Sequence, residues 1–330
     1  STLARVAGCL IKDAMVLFMK GPRCDQEIEK ASKNFASDYE LTGDIPYQIP
    51  HTPHRRRLVL FRRKIDPIQS SVASDHTSSR YRVKIIESEN NAIFKNLKKL
   101  LGGRGVKKQG KTLVCGPRLV AEVIKRSPER CLAWISAGNH HPPPTEAPCN
   151  QEWIQLAPNL FQVLDAFGTK RPIVLFDCPA PEAWRPEEDL PTGCSLLVPF
   201  QDPENVGAIV RTAVAFDVNQ IILLAQSANP FHPKAVRSSA GTVFSARMFH
   251  GPSLAEIPQD MPVIALAASG QPLAETSFPP SFCLLTGMEG PGLPPDWQAR
   301  TVAIPMAPEV ESLNATVATA IALYEWRRSL

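Results

Sequence analysis

No stretch of this chain stays apolar for the ~18 or more residues that a membrane-spanning helix needs. Its 330 residues are 44% hydrophobic, an ordinary fraction for a globular protein. A secretion signal is also lacking: the apolar stretch in the first twenty residues is broken by Lys12 and Asp13, with no charged start and no small-residue cleavage site. A cytoplasmic protein is expected. Cysteine pairs at metal or redox spacing are missing too. The eight cysteines, at positions 9, 24, 115, 131, 149, 178, 194 and 283, include no C-x-x-C. Cys115, Cys194 and Cys283 lie inside apolar, strand-like runs, so buried reduced thiols are expected rather than a disulfide framework, and no metal site. Net charge is only +4, yet basic residues gather at Arg55-Arg-Arg57, Arg62-Arg-Lys64, Lys95, Lys98-Lys99, Arg104, Lys107-Lys108 and Lys111. Such clusters are either solvated surface or contacts for a polyanion whose binding weakens with salt.

What is present suits two or three domains. Residues 14–19 read as a strand, 25–35 as a charged helix and 57–62 as a closing strand. Those three elements are too few for a full core, and no G-x-G-x-x-G loop follows a strand there. Residues 1–64 therefore read as a fragment, either of a longer natural protein, since the chain starts at Ser1 without methionine, or kept as an accessory domain. Residues 65–80, rich in Ser and lacking periodicity, read as a linker. Over 81–180, strands at 83–86, 112–115, 132–135 and 153–156 alternate with helices at 90–101, 117–125 and 160–166, predicting a compact α/β/α unit. A second linker, 179–191, is rich in proline and acids. The last domain runs over 190–330.

Three segments of that last domain carry chemistry: Asn205-Val-Gly-Ala-Ile-Val-Arg211, Gly287-Met-Glu-Gly-Pro-Gly-Leu293, and Ile304-Pro-Met306 followed by Ser312-Leu-Asn314. Each falls where a strand ends or a helix begins, the edge at which open α/β sheets collect ligands. Asn205 suits a helix N-cap. Val206, Ile209, Val210, Ala213 and Phe216 follow as an apolar face. Arg211, four residues after Gly207, leans back over a position with no side chain; a plain surface arginine fits equally well at this point. In the second segment three glycines let backbone approach a ligand, and Glu289 is either a structural acid or a site residue. Ser312 reads as the N-cap of the final helix, whose free amides could hold an anion or a polar edge. Asn314 is ill suited to a first turn and better placed as a ligand contact. Leu313, Val317, Ala320, Ile321 and Tyr324 are expected to supply that helix's core stripe.

In order and spacing the three segments resemble the motifs of the SpoU-TrmH (SPOUT) RNA 2′-O-ribose methyltransferases. The resemblance implies an α/β domain with a trefoil-knotted C-terminal segment, acting as a homodimer. It implies a catalytic set of Arg211, Asn205, Glu289, Ser312 and Asn314. S-adenosylmethionine would be held around Ala267, Gly287, Met288, Gly290, Ile304, Met306, Ser312 and Leu313. Lys234 and Arg237 lie in a run similar to the family's basic helix and would contact RNA. Residues 81–180 resemble the small ribosomal-protein-like substrate-binding domain of TrmH-type enzymes. That likeness rests on Ser88, Asn90, Lys95, Leu97, Leu100 and the Gly116-Pro-Arg118-Leu-Val120 turn, with Cys115 where relatives often have Glu. Lys95, Arg104 and Arg118 would contact RNA. Lys20-Gly-Pro22 and the late basic strand give residues 1–64 a resemblance to the C-terminal end of RsmG-type class I methyltransferases. The implied reaction is methyl transfer from S-adenosylmethionine to a ribose 2′-hydroxyl, of rRNA ahead of tRNA. Because a guanidinium keeps its proton in proteins, Arg211 reads as a cation that stabilises the emerging alkoxide, with Glu289 or a phosphate taking the proton. Base methylation, and a non-catalytic RNA-binding module on a knotted scaffold, are the alternatives.

Overall fold

The computed structural model describes residues 3, 13–50, 52–64, 81–145, 147, 152–185, 190–258, 260–287 and 300–330. The chain divides into two units, Ser1–Thr77 and Ser78–Leu330.

In the first unit, β1 (Met15–Lys20), α1 (Asp25–Asn34), β2 (Tyr39–Gln48) and β3 (Arg55–Arg63) form an antiparallel sheet in the order β1-β3-β2. Strand β2 is absent from the sequence reading because Gly43, Asp44 and Pro46 interrupt it, and all three are poor strand formers. Period-2 alternation sends Val59 and Phe61 to one face, where they pack with Cys24 and Tyr39 and against Phe18 and Ile28. On β1 the alternate residues Met15, Leu17 and Met19 are exposed. The basic strand is matched by carboxylates within the unit. Arg57 pairs with Asp25 and Asp44, Arg62 with Glu40, and Arg63 with Asp38 while lying over the Tyr39 ring.

The second unit begins with β4 (Arg82–Ile86), α2 (Ala92–Lys99), α3 (Gly103–Gln109), β5 (Lys111–Cys115), α4 (Pro117–Arg126), β6 (Cys131–Ala137), β7 (Glu152–Leu156), α5 (Pro158–Leu164) and β8 (Ile173–Asp177). Their sheet order is β4-β7-β6-β8-β5. β4, β7 and β6 are parallel, while β8 runs antiparallel to both β6 and β5. Near-continuous apolar strands such as Leu113-Val-Cys115 and Ile173-Val174 are buried between helices. The chain continues through β9 (Glu182–Ala183), β10 (Gly193–Val198), α6 (Pro203–Ala215), β11 (Gln220–Leu223), α7 (Pro233–Ser238), β12 (Met248–His250), β13 (Val263–Pro272), β14 (Ser281–Leu285), β15 (Arg300–Ala303) and α8 (Ala315–Arg328). These strands form a seven-stranded sheet, β15-β13-β14-β10-β11-β12-β9, every pair parallel. The segment read as a plain second linker thus contributes β9, an edge strand paired with β12.

One hydrophobic core runs through both halves of this unit. Phe176 of β8 meets Phe244 with ring centroids 4.5 Å apart, and the Arg237 guanidinium lies 4.3 Å from the Phe167 ring centroid. Among the described residues the free cysteines 24, 115, 131, 178, 194 and 283 are buried; Cys9 and Cys149 lie outside the described residues. Burial pushes the thiols of Cys115, Cys178 and Cys283 up to about 12. The described residues hold no group of side chains able to bind a metal, and none of their helices is long and apolar enough to cross a membrane.

Helix α8 corrects the expected core stripe. Its buried residues are Thr319, Ala322, Leu323 and Trp326, whereas Val317, Ile321 and Tyr324 are exposed. The sequence Ala315-Thr-Val-Ala-Thr-Ala-Ile-Ala-Leu-Tyr324 is weakly apolar on every side, so periodicity could not choose which face packs inward.

Candidate functional site

Parallel strands end on one edge, and α6, the Gly287 turn and the segment after β15 all leave the sheet there. Helix α6 is capped by Asp202, whose side chain accepts from the Glu204 amide at 2.9 Å. Asn205 therefore lies within the first turn and is not the cap that the sequence suggested; Pro203 at the helix start moves the boundary three residues earlier. Val206, Ile209, Val210 and Ala213 are buried as expected.

Gly207 has a different use from the one read in the sequence. A Cβ there would lie 2.2 Å from the Ala235 carbonyl oxygen and 2.0 Å from Ser238 Oγ, so the missing side chain lets α7 pack directly on α6. Arg211 is exposed, and no described residue pairs with its guanidinium.

At the start of α8 the N-cap is Asn314, not Ser312. Asn314 Oδ1 accepts from the amides of Thr316 at 2.9 Å and Val317 at 3.3 Å. An amide side chain at that position satisfies two free helix donors. Its Nδ2 stays available to a ligand. Ser312 is exposed in the preceding loop and Leu313 is half-buried. The first and third segments meet through Thr316, whose Oγ1 lies 3.4 Å from Asn205 Oδ1. Sequence reasoning missed Thr316, because the two residues are 111 positions apart and nothing local marks the pairing.

Beside this edge lies a cavity of about 320 Å³. Ile304, Met306 and Ala268 line it, together with Gly270, Val310 and Glu311, which the sequence did not single out. Ala267 is half-buried one residue before Ala268. A Cβ on Gly270 would come 2.6 Å from the Thr301 carbonyl oxygen, so only glycine fits that approach. At Gly287 the nearest atom to such a Cβ is the Leu266 carbonyl oxygen at 4.0 Å. Among the described residues the one backbone hydrogen bond within 304–313 runs from the Val310 amide to Ala307. The rest of that wall offers unpaired amides and carbonyls to a polar ligand. Thr286, fully buried at the end of β14, has a hydroxyl with no described partner. Met288, Glu289 and Gly290 lie outside the described residues.

The basic residues divide into two sets. Lys95, Arg104 and Arg118 are exposed on α2, α3 and α4. Between residues 90 and 121 the chain has eight Lys and Arg and no Asp or Glu. Gly103 brings this region against Asn229 and His232, in the loop that follows β11 at the ligand edge. Lys234 instead pairs with Glu204 at 3.1 Å, and Arg237 is stacked on Phe167.

A parallel sheet with a ligand-sized cavity and an Asn-Thr-Asn cluster at its strand ends is the arrangement at which α/β proteins bind small ligands. Residues 195–324 match the model of the SpoU rRNA Methylase family. The chain is 30% identical over 261 residues to the 23S rRNA (uridine(2479)-2′-O)-methyltransferase of Streptomyces viridochromogenes, covering 71% of this chain and 89% of that protein. A crystal structure of the SpoU methyltransferase AviRb from the same organism, in complex with AdoMet, superimposes with a TM-score of 0.61 at 27% identity, over 73% of this chain and 98% of that one. The chain belongs to the SpoU family. It is also 48% identical over 329 residues to the "Ribosomal RNA small subunit methyltransferase G 2" of Syntrophobacter fumaroxidans, covering 100% of this chain but 66% of that relative's length. Similarity to an RsmG-named protein thus extends through the N-terminal unit.

Proposed function

We propose that this chain transfers a methyl group from S-adenosylmethionine to a ribose 2′-hydroxyl of RNA, rRNA ahead of tRNA, in the cytoplasm and as a homodimer. The observation that carries this reading is the meeting of Asn205 with Thr316 on the strand edge that also holds the Ile304–Met306 cavity. The residues present fit the cofactor: a cavity at the lower end of the ligand-pocket range, walled by unpaired backbone groups and apolar side chains, suits an adenosyl group. Bound there, S-adenosylmethionine would supply an electrophilic methyl on a positive sulfonium.

The protein's own task is alignment of the 2′-hydroxyl and stabilisation of its oxygen as the proton leaves. Arg211, a fixed cation on the exposed side of α6, would stabilise the developing alkoxide, with Glu289 or a phosphate accepting the proton. Asn205, Ser312 and Asn314 would orient the ribose and the methionine end of the cofactor. Asn314 can do so through Nδ2 while its oxygen caps α8. The remaining cofactor contacts would come from Ala267, Gly287, Met288, Gly290 and Leu313, with the C-terminal segment threaded through a loop as a trefoil knot.

Residues 81–180 would present RNA through Lys95, Arg104 and Arg118, on a region where acidic side chains are missing and counterion release can drive binding. Lys234 and Arg237, engaged with Glu204 and Phe167, would add RNA contacts from their exposed edges. Residues 190–330 would be the catalytic domain, and 1–64 a fragment of class I methyltransferase type joined by the 65–80 linker. Support for the homodimer is the misread stripe of α8: Val317, Ile321 and Tyr324 are 49%, 38% and 56% exposed, at i, i+4 and i+7, with Val214 of α6 also uncovered. An apolar strip of that kind marks a surface that another chain covers.

The test is incubation of rRNA with methyl-labelled cofactor, followed by alkaline hydrolysis. Label in alkali-stable dinucleotides is expected, since a methylated 2′-oxygen cannot attack its phosphate. Label in mononucleotides would assign base methylation, and no label together with no cofactor binding would leave an RNA-binding module. Arg211→Ala is expected to abolish transfer while cofactor affinity by calorimetry is kept; unchanged turnover would remove Arg211 from the mechanism.

A further inference from the structure

A cleft of about 900 Å³ in the second unit lies away from the methyl-transfer edge. Gln220 and Met248, the first residues of β11 and β12, line it, so it sits at the strand starts, whereas Asn205 and Gly287 follow strand ends. Three stretches of chain enclose it: Arg130 from the first half of the unit, the connector carrying Arg185, and Arg247 with Phe231, Phe244 and Phe249 from the second half. Its described lining holds Arg130, Arg185 and Arg247 with the acid Glu182; Arg185 already has a partner within the protein, and Arg130 and Arg247 lie against aromatic rings.

The cations and rings are already arranged as stacking surfaces. The Arg247 guanidinium lies 5.4 Å from the Phe249 ring centroid, and Arg130 lies 4.9 Å from Phe176 and 5.9 Å from Phe244. Arg130 is held there by donating to the Asp177 carbonyl at 2.8 and 3.2 Å. Phe231 and Phe244 are stacked at 8° between planes. A ligand matched to this lining carries negative charge and a flat π face, which is the chemistry of a nucleotide.

We propose that this cleft holds unpaired nucleotides of the RNA substrate, stacked on the Arg247–Phe249 and Arg130–Phe244 surfaces, as a second contact remote from the methylated ribose. The proposal rests on the RNA reading above. It supplies what that reading needs: every nucleotide has a 2′-hydroxyl, so selection must come from contacts elsewhere on the strand. The volume lies near the upper end of the range for bound small molecules, so more than a single base can enter.

Arg247 is exposed and outside the core, so its variants should fold. Binding of a labelled single-stranded RNA 12-mer is followed by fluorescence anisotropy across a salt series. Arg247→Glu is expected to weaken binding about tenfold or more and to flatten the salt slope, with S-adenosylmethionine affinity unchanged. Arg247→Lys should keep the salt slope while losing part of the affinity, because an ammonium is a point charge without a stacking plane. As a second readout, 4-thiouridine RNA should cross-link under ultraviolet light to the peptide containing residues 243–249. Unchanged affinity in both Arg247→Glu and Arg185→Glu, with cross-links confined to other peptides, would overturn the proposal. Displacement of the 12-mer by free nucleoside monophosphate at equal affinity would reassign the cleft to a small nucleotide, and displacement by polyglutamate to an acidic protein. Cofactor binding and alkali-stable label are measured separately, so failure of the methyl-transfer reading is distinguishable from failure of this one.

Discussion

Gly207→Ala sets two familiar effects of opposite sign against each other. In an isolated helix the change should stabilise α6 by about 1 kcal/mol, because alanine loses less backbone freedom than glycine. In this protein the added methyl would stand 2.2 Å from the Ala235 carbonyl oxygen and 2.0 Å from Ser238 Oγ. The serine hydroxyl can rotate away. The carbonyl belongs to the backbone of α7 and cannot, so the two helices must separate by about 1 Å to restore ordinary contact. Overpacking costs about 1–3 kcal/mol, and a clash with a fixed backbone carbonyl belongs in the upper part of that range, about 2–3 kcal/mol, leaving a net loss of about 1–2 kcal/mol after the propensity gain. For a unit of 150–250 residues that corresponds to a fall in Tm of about 2–8 °C. Helix α6 also carries Asn205 and Arg211, so methyl transfer should fall further than stability does. Scanning calorimetry of the variant, with labelled-methyl turnover well below its Tm, measures both. Adding Ser238→Ala should recover only a small part of the loss. A Tm equal to or above that of the parent protein would mean that propensity wins, and that the α6–α7 contact is not the reason for glycine at this position.

Asn314 allows capping and ligand contact to be separated. Asn314→Ala should cost about 0.5–2 kcal/mol through loss of the cap and should also lower activity, whereas Asn314→Asp keeps the accepting oxygen, so urea midpoints should hold while activity drops; equal activity in Asn314→Asp would confine the residue to capping. His232 predicts a pH effect: burial first, and then the Lys234 charge, depress its pKa, and its Nδ1 accepts from the Lys234 amide at 3.2 Å. The unfolded chain therefore takes up a proton near pH 6.5 before the folded one does, so this contribution to stability is complete above about pH 6.5 and is lost as pH falls from there through the depressed value. The pH 7-to-5 loss of stability should be smaller in His232→Asn, and an identical slope in the two proteins would discount the effect. For the α8 strip, Ile321→Glu should convert a sedimenting dimer to monomer; a parent chain that is monomeric at every concentration would refute the pairing surface.

How much of this was legible in the sequence depends on how local the cause was. Four of the five strands of residues 81–180 were readable because each is a short apolar run closed by turn residues; β8 (Ile173–Asp177), just as apolar, and α3 (Gly103–Gln109), with two glycines and few apolar residues, were not. Strand β2 was not, since its place rests on pairing with β3 rather than on its own residues, with a register shift between Leu41 and Gly43. β9 is two residues long and exists through its ladder with β12. Cap positions failed for a different reason. Asp202 with Pro203, and Asn314 with Thr316, are sound helix starts by the same rules that suggested Asn205 and Ser312, and only the backbone decides among polar residues two or three positions apart.

The error over α8 bears most directly on function. Val317, Ile321 and Tyr324 have the spacing of a core stripe, and they lie outside the monomer's core because Thr319, Ala322, Leu323 and Trp326 on another face do the packing. Trp326 reaches Phe282 in the central strand β14 with ring centroids 6.0 Å apart, an anchor that the smaller exposed residues cannot replace. A helix apolar on two faces has to bury both or leave one uncovered. Here the inner face holds α8 over the sheet and thereby fixes Asn314 and Thr316 beside Asn205. In the proposed homodimer the outer face would meet a second copy, so the same fourteen-residue helix that carries Asn314 and Thr316 would also join two sites into one dimer.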